Sequence, residues 1–392
     1  MTYSKQFAFL LALSLVSLAL FSSCSKRLPP ETVPPIIPAV TTTSETEETS
    51  ETTETSVTET TVPEPSYGPQ STPKVTVMPV SVSGELKISG SSITGQDGEP
   101  VILRGISLDL RGEEGTVLDE EVAKTFSEDW GASVLKLVID PADEEIDIQS
   151  ICNDIDICVS GGVYVIVSLD TSSSGDPSVY MDQATDLFSR LSALYCDCPN
   201  IIYEICEGSG GTEAEDADEE ITWKEHVKPY AEEIIEVIRE NDPDNLIIVD
   251  TPDLNDIIKE LIDDEGVIYG FSVDLGSGND NLFEDITKVK DKDIPVFITK
   301  WSLVAGKTVD VLTADALLDL LNEQEIGWCY WCCSIRNTGA NVIRIGNDDE
   351  DPFVIFDGHW PDDLITDTGL YVRDRLTYSP SEEVEDTETE ED

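Results

Sequence analysis

Eight short apolar segments, each followed by a more polar stretch, recur along the chain between residues 84 and 376. The apolar segments are rich in valine and isoleucine, as expected of strands covered on both faces, and several intervening stretches carry apolar residues at helical spacing. Strands that alternate with helices indicate an α/β fold with a parallel sheet, and eight such units predict a (β/α)8 TIM barrel. An open doubly wound sheet is the alternative, but no glycine-rich phosphate loop follows the first strand.

The sequence also predicts where the individual strands and helices begin and end. A small hairpin from Glu85 to Ile93, turning near Gln96–Gly98, is expected to precede the first barrel strand. The expected helices include Val179–Tyr195, Trp223–Asn241 and Ala314–Asn322. The expected strands are Val101–Ile106, Val134–Val138, Val163–Val167, Ile201–Ile205, Leu246–Val249, Ile268–Val273, Val296–Thr299 and Gly327–Trp331.

The first 24 residues have the pattern of a targeting segment. An apolar run from Phe7 to Phe21 follows Lys5 and ends in Ser22–Ser23–Cys24. The run is short for a membrane span, and its small-residue ending is typical of a signal peptide. Residues Leu20–Cys24 resemble a bacterial lipobox, in which the cysteine becomes the lipidated first residue of the mature protein. Ordinary signal cleavage beside an incidental cysteine is the alternative. The sequence therefore predicts an exported protein, lipid-anchored through Cys24 at the outer face of a bacterial cell membrane.

The predicted barrel spans residues 83–378 and lies between two low-complexity segments. Residues 25–82 consist mainly of Thr, Ser, Glu and Pro and contain too few large apolar residues to form a core, so we expect a disordered stalk. Residues 379–392 form an acidic tail that should also be disordered. This organisation predicts a folded domain held away from the membrane by the stalk.

The net charge of −58 limits the possible partners. Nucleic acids and anionic lipid surfaces would be repelled, so membrane contact is expected only through the lipid anchor. A polysaccharide or a surface protein remains as the expected partner. The chain has only two histidines, His226 and His359, both far from the cysteines in sequence, so a zinc site is not expected and no metal ligand or cofactor is assigned.

Eight cysteines follow Cys24 in the sequence. Export permits disulfides, and an even number allows a disulfide framework. Neighbours such as Cys332 and Cys333 are too close to bridge comfortably, and most of the others lie in apolar patterns, which favours buried thiols. The eight are Cys152, Cys158, Cys196, Cys198, Cys206, Cys329, Cys332 and Cys333.

Several stretches of the predicted barrel resemble the bacterial endoglucanases of glycoside hydrolase family five. The resemblance covers nearly the whole domain. It implies a two-carboxylate retaining mechanism on β-glucan, in which one Glu after the fourth strand protonates the leaving oxygen and another Glu, about 5 Å away on the seventh, attacks the sugar. The matching stretches include Leu103–Ser107, Asp129–Ala132, Tyr164–Val167, Pro199–Ile205, Lys228–Glu232, Asn241–Asn245, Pro295–Thr299, Trp328–Trp331 and Gly369–Arg373.

The two catalytic positions implied by the resemblance carry other residues. Gly208 is in register with the acid, although a slip of one residue would let Glu207 serve. The nucleophile position is Lys300, fixed in register by Thr299 and Trp301. An ammonium cannot form the glycosyl ester, and it repels the sugar cation that develops. We therefore expect that hydrolysis has been lost.

The positions around the implied catalytic pair also carry residues that differ from those of the family. Only Trp331 matches the family, at the position implied for a sugar-stacking aromatic residue. The expected function is binding of a polysaccharide or a protein partner without hydrolysis, with Trp331, Asp109, Asp170 and Glu207 as candidate contacts for a polysaccharide. The alternatives are a weakly active endo-β-glucanase that uses Glu207 with another nucleophile, and a structural surface module. The substituted positions are Lys136, Asp109, Asp170, Leu254, Ser272 and Asp274.

Three local questions stay open at the level of sequence. Glu207 and Lys300 are expected to form an ion pair across the barrel mouth, with Glu204 as a second partner. Asp109, Asp170 and Asp274 form either a cation site or a solvated rim. Trp331 is either a sugar platform or a core residue.

Overall fold

The computed structural model describes residues 79–109, 118–141, 146–210, 221–275, 281–305, 308–309, 311–334, 338–344 and 360–377. The predicted signal peptide with Cys24, most of the predicted stalk and the predicted acidic tail lie outside these ranges. Within them, no helix has the length and apolar character that crossing a membrane requires.

The described residues include a short helix that begins before the predicted barrel boundary at residue 83. Residues 79–82, assigned to the stalk, belong to the short helix α1, Pro79–Ser83. The Val80 N–H donates to the Gly162 carbonyl at 3.1 Å, and the Val80 side chain packs against apolar residues at the base of the barrel. These contacts explain why a stretch of linker-like composition is ordered.

The predicted hairpin is present, but its turn is not where the sequence placed it. Strand β1, Lys87–Ser89, pairs antiparallel with β2, Ser92–Thr94. The chain reverses at Gly90–Ser91 rather than near Gln96–Gly98, because Gly90 adopts a φ of 61°, which favours glycine.

The predicted TIM barrel is confirmed. Eight parallel strands close into a barrel in which each strand pairs with the next along the chain and the last pairs with the first. A small hairpin, β10 (Val304–Ala305) with β11 (Thr308–Val309), precedes the final strand. The barrel strands are β3 Arg104–Asp109, β4 Val134–Ile139, β5 Tyr164–Asp170, β6 Ile201–Glu207, β7 Leu246–Asp250, β8 Val267–Asp274, β9 Val296–Ser302 and β12 Trp328–Cys333.

Helices follow the strands on the outside of the barrel. The expected helix over Trp223–Asn241 begins with a π-helical turn, Trp223–Val227, whose first turn is capped by the Thr222 hydroxyl. It continues as an α-helix with Pro229 in its first turn, a position that tolerates the missing N–H. The α-helices after α1 are α2 Glu120–Lys124, α3 Ile148–Ser160, α4 Met181–Tyr195, α5 Lys228–Arg239, α6 Leu254–Ile257, α7 Leu282–Lys290, α8 Val311–Glu323 and α9 Asp367–Leu376.

Two apolar clusters stabilise the barrel. The larger one lies between the strands and the surrounding helices. The smaller one fills the barrel interior near the strand N-termini, where Leu86 and Ile93 of the hairpin segment close the base against residues such as Ile166 and Phe297. Side chains further along the same inward faces are mainly polar and form the barrel mouth.

Most barrel strands extend further toward their C-termini than the apolar pattern predicts. The fourth, sixth and seventh strands were expected to end at Ile205, Val273 and Thr299, but they continue to Glu207, Asp274 and Ser302. Polar side chains are tolerated at these ends because they bond to one another at the mouth, as the next section describes.

Candidate functional site

Five charged side chains meet at the C-terminal end of the barrel, which is where TIM barrels place their functional groups. Lys136 comes from β4, Glu204 and Glu207 from β6, Asp250 from β7 and Lys300 from β9. The first four side chains are almost completely buried, whereas the Lys300 side chain is 30% exposed. We call these five residues the mouth cluster.

Lys136 is the central cation of the mouth cluster. Its Nζ lies 2.7 Å from Glu204 Oε2 and 3.1 Å from Glu207 Oε2, and it donates to the Thr299 carbonyl at 3.0 Å. Burial by itself would lower the pKa of Lys136, but the two glutamates outweigh it and raise that pKa above its ordinary value. Lys136 is therefore charged, and it joins three strands: β4, β6 and β9.

A bulge in β6 explains how two glutamates three residues apart face the same side. Ser168 of β5 pairs with Glu204 and Asp170 pairs with Glu207, so β6 contains one extra residue between these two pairs. In a regular strand Glu204 and Glu207 would point to opposite faces of the sheet. The bulge turns both carboxylates toward Lys136.

The expected ion pair between Glu207 and Lys300 is present. Lys300 Nζ lies 3.2 Å from Glu207 Oε1 and 4.1 Å from the centroid of the Trp331 ring. Ser168 donates a further hydrogen bond to Glu207 at 3.1 Å. Burial alone would raise the pKa of Glu207, but the ammonium groups of Lys136 and Lys300 lower it to about 2.

A second bulge directs Lys300 toward the mouth. Phe271 of β8 pairs with Ile298, and the next residue, Ser272, pairs with Lys300, so β9 has an extra residue at Thr299. Consecutive residues of β9 therefore both reach the mouth cluster: the Thr299 hydroxyl bonds to Asp250, and Lys300 contacts Glu207.

Asp250 joins the two strands that carry this ion pair, and the sequence analysis did not single it out. Its Oδ2 accepts from the Gly208 N–H and from the Thr299 hydroxyl, each at 3.1 Å. Gly270 leaves room for this carboxylate, since a Cβ there would lie 2.1 Å from Asp250 Oδ1. An Asp directly after the apolar run Leu246–Val249 was the signal that could have identified it.

The two remaining acids of the cluster favour their neutral forms more than ordinary carboxyls do. Burial raises the pKa of Asp250 to about 6, with Lys136 opposing the shift. Burial also raises the pKa of Glu204 well above its ordinary value, again against the effect of Lys136. The prediction that Glu204 is a second partner of Lys300 is wrong: the bulge places it on Lys136 instead.

The other predicted site residues lie at different depths around the mouth. Asp109, 1% exposed, accepts from the Ser334 hydroxyl, and Asp170, 3% exposed, accepts from the Ser172 N–H. Asp274 is exposed at the end of β8. In the part of the chain that the structure describes, no three His, Cys, Asp or Glu side chains are grouped so that they could hold a metal.

Trp331 and Trp328 lie on opposite faces of β12. Trp328 is buried in the outer apolar cluster, whereas Trp331 is partly exposed at the mouth under Lys300. Gly208 has a φ of 75°, and a Cβ there would lie 2.7 Å from the Ser172 side chain. The roles of Trp331, Asp109, Asp170 and Glu207 in ligand binding stay predictions.

The eight cysteines that the structure describes carry thiol groups rather than disulfides. Five are buried, which agrees with the interpretation as apolar packing residues, and Cys152, Cys196 and Cys198 are partly exposed. His226 accepts from the Thr222 N–H at 3.2 Å and lies away from the mouth cluster, at the start of the helix that follows β6.

Comparison with known proteins gives a consistent family. The family model described as cellulase (glycosyl hydrolase family 5) matches residues 94–339. Endoglucanase A of Evansella cellulosilytica is 28% identical over 300 residues, which cover 72% of this chain and 58% of that protein. Endoglucanase N of Pectobacterium atrosepticum is 27% identical over 311 residues, which cover 76% of this chain and 66% of that protein. The chain thus spans less than two thirds of the length of these relatives.

A solved structure supports the same barrel. The catalytic domain of the Thermobifida fusca endoglucanase Cel5A in complex with cellotetraose superposes with a TM-score of 0.68 at 25% identity, covering 77% of this chain and 100% of that one. The catalytic domain of alkaline cellulase K, at 23% identity and a TM-score of 0.64, agrees in fold.

Proposed function

This chain belongs to glycosyl hydrolase family 5, and from that premise we propose that its barrel binds β-glucan chains without hydrolysing them. The observation that carries the proposal is the position of Lys300, whose Nζ is 3.2 Å from Glu207 and 4.1 Å from the Trp331 ring centroid. The ammonium occupies the place where a retaining glycosidase needs an anion beside the sugar.

The chemistry of Glu207 also opposes hydrolysis. A general acid must be protonated near the working pH, and its pKa is usually raised toward neutrality for that purpose. The two lysines lower the pKa of Glu207 to about 2, so it is ionised at neutral pH and has no proton to donate. The mouth then contains an ionised carboxylate held between two cations rather than an acid paired with a nucleophile.

Binding without turnover uses what remains of a sugar site. Trp331 is partly exposed at the mouth, and aromatic rings are common platforms in ligand sites. β-Glucan is uncharged, so the strongly negative protein does not repel it. Because Lys300 lies over one face of Trp331, a glucan chain would stack on the remaining face or displace the Lys300 side chain.

We place this barrel outside the cell. The sequence pattern at Leu20–Cys24 supports export and lipid attachment, and residues 25–78 would then separate the barrel from the membrane.

A weakly active endo-β-glucanase is the second candidate. Glu204 and Glu207 contact the same ammonium, yet their pKa values shift in opposite directions, a pattern that marks acid and base pairs in enzymes. Both carboxylates are completely buried with Lys136 between them, which argues against direct access of a sugar.

Affinity electrophoresis in native gels with and without barley β-glucan tests binding. We expect the polysaccharide to retard the full-length protein. Trp331→Ala should raise the dissociation constant obtained from the retardation about tenfold, the loss of affinity typical of removing an aromatic anchor. Phe283→Ala is the matched control, because Phe283 is a 36% exposed aromatic residue on helix α7 and is not part of the mouth cluster. Equal mobility of the native protein in both gels would contradict the proposal.

A further inference from the structure

The mouth cluster has an imbalance of charge. Glu204, Glu207 and Asp250 are acids; of the two lysines, Lys136 contacts both glutamates and Lys300 contacts Glu207. With all five ionised, one negative charge would be left over in a barrel interior where solvent compensates poorly, and burying an unpaired charge is strongly unfavourable. One proton on Glu204 or Asp250, the two acids of the cluster whose pKa is raised, removes that charge.

The hydrogen bonds of Asp250 indicate what that proton would change. Asp250 Oδ2 accepts from the residue after Glu207 and from the residue before Lys300. The same carboxylate oxygen therefore links the C-terminal ends of the two bulged strands, β6 and β9, through hydrogen bonds. Its Oδ1 accepts no hydrogen bond within the described part of the chain, so it has room to carry a proton.

We propose that ionised Asp250 holds the ends of β6 and β9 together at neutral pH, which keeps the Glu207–Lys300 pair over the Trp331 ring. In mildly acidic solution Asp250 takes up a proton, and this arrangement weakens. Hydrogen bonds to an ionised acceptor are about twice as strong as bonds to a neutral one. Protonation of Asp250 weakens its bonds to the Gly208 N–H and the Thr299 hydroxyl together. Lys300 follows Thr299 directly, so the loosened end of β9 carries its ammonium away from the Trp331 ring.

The surroundings of Asp250 give it a pKa in the mildly acidic range that the proposal requires. Burial raises its pKa to about 6, and Lys136 of β4 opposes this. On β8 the facing residue is Gly270, which has no side chain. The titratable groups that face Asp250 from the packed strands, or influence its neighbours, are Lys136, Glu204, Cys206, Glu207, Lys300 and Cys329.

Trp331 provides a direct readout. Of the six tryptophans in the chain, five are buried and only Trp331 is partly exposed, so acrylamide quenching of tryptophan fluorescence reports mainly on it. Quenching of the native protein should increase as the pH is lowered from neutral to about 5, with a midpoint near 6. Subtracting the signal of Trp331→Phe isolates the response, and Lys300→Ala, which has no side chain long enough to cover the ring, gives the value for an uncovered ring at every pH.

Substitutions distinguish protonation of Asp250 from other effects of lowering the pH. Asp250→Asn should remove the transition and give high quenching at neutral pH. Asp154→Asn should leave it intact; burial on α3 also raises the pKa of Asp154 to about 6, which makes it a matched control. Thr299→Val removes a donor to the ionised form of Asp250 and should raise the midpoint by up to about one pH unit.

The outcomes decide the proposal independently of glucan binding, because no ligand is used. A native protein without a transition, or a transition that survives Asp250→Asn, would overturn it. If Asp250→Asn does not fold, the Thr299→Val midpoint decides: an unshifted midpoint excludes Asp250 as the titrating group.

Discussion

At the scale of single residues, Lys136 determines whether the barrel interior can hold its acids. Its Nζ contacts two buried carboxylates and a main-chain carbonyl, and its own side chain has no exposure to solvent. Removing one member of such a group leaves the others charged, buried and unpaired. Lys300 differs, because it is partly exposed and because Glu207 keeps Lys136 when Lys300 is absent.

This difference predicts unequal effects on stability. Lys136→Met, similar in shape but uncharged, should lower the free energy of unfolding by about 3–5 kcal/mol, the usual effect of breaking a buried ion pair. Lys300→Met should lower it by only about 1 kcal/mol or less, as for exposed pairs. Urea unfolding followed by circular dichroism measures both. Equal losses would show that Lys136 is not the central cation of the cluster.

At the scale of secondary-structure elements, two bulges give the mouth its composition. The extra residue in β6 brings Glu204 and Glu207 to the same face, and the extra residue in β9 lets Thr299 and Lys300 both reach the interior. Regular strands would have placed one member of each pair among the helices, where a charge has no partner. The ion pairs of the mouth therefore depend on strand irregularity as much as on residue type.

The turn after β6 fixes the end of that strand. Gly208 combines a φ of 75° with close contact to Ser172, so Gly208→Ala should destabilise the fold by about 2–3 kcal/mol through backbone strain and overlap. Gly98→Ala is the matched control, because Gly98 has a φ of 81° but no atom within 4 Å of its Cβ position, and about 1 kcal/mol is expected. Thermal unfolding compares the two, and a larger loss at Gly98 would contradict this account.

The fold could be predicted from the sequence because eight continuous apolar runs, each followed by a more polar stretch, are typical of the covered parallel strands of a (β/α)8 barrel. The Glu207–Lys300 pair was also predictable, since both residues lie at the C-terminal ends of strands of one barrel. The partner of Glu204 was not, because a bulge moves a side chain across the sheet without leaving a mark in the alternation of residues. Asp250 was missed because its role depends on the main-chain N–H of Gly208, which no side-chain pattern reveals.

At the scale of the whole molecule, the family frame and the site point to different outcomes. The barrel and its strand order are those of glycosyl hydrolase family 5, and the domain is similar to endoglucanase catalytic domains. The mouth presents two lysines to Glu207 and leaves it ionised. We propose that this barrel keeps the shape that surrounds a sugar chain while its electrostatics oppose the charge of the glycosidic transition state.

Release of reducing sugar from barley β-glucan by the purified full-length protein tests this most directly. We expect no product above the buffer blank, and the same result for Glu207→Gln purified in the same way. Turnover by the native protein that disappears in Glu207→Gln would contradict the account, because it would show that Glu207 acts in catalysis despite its pairing with Lys300.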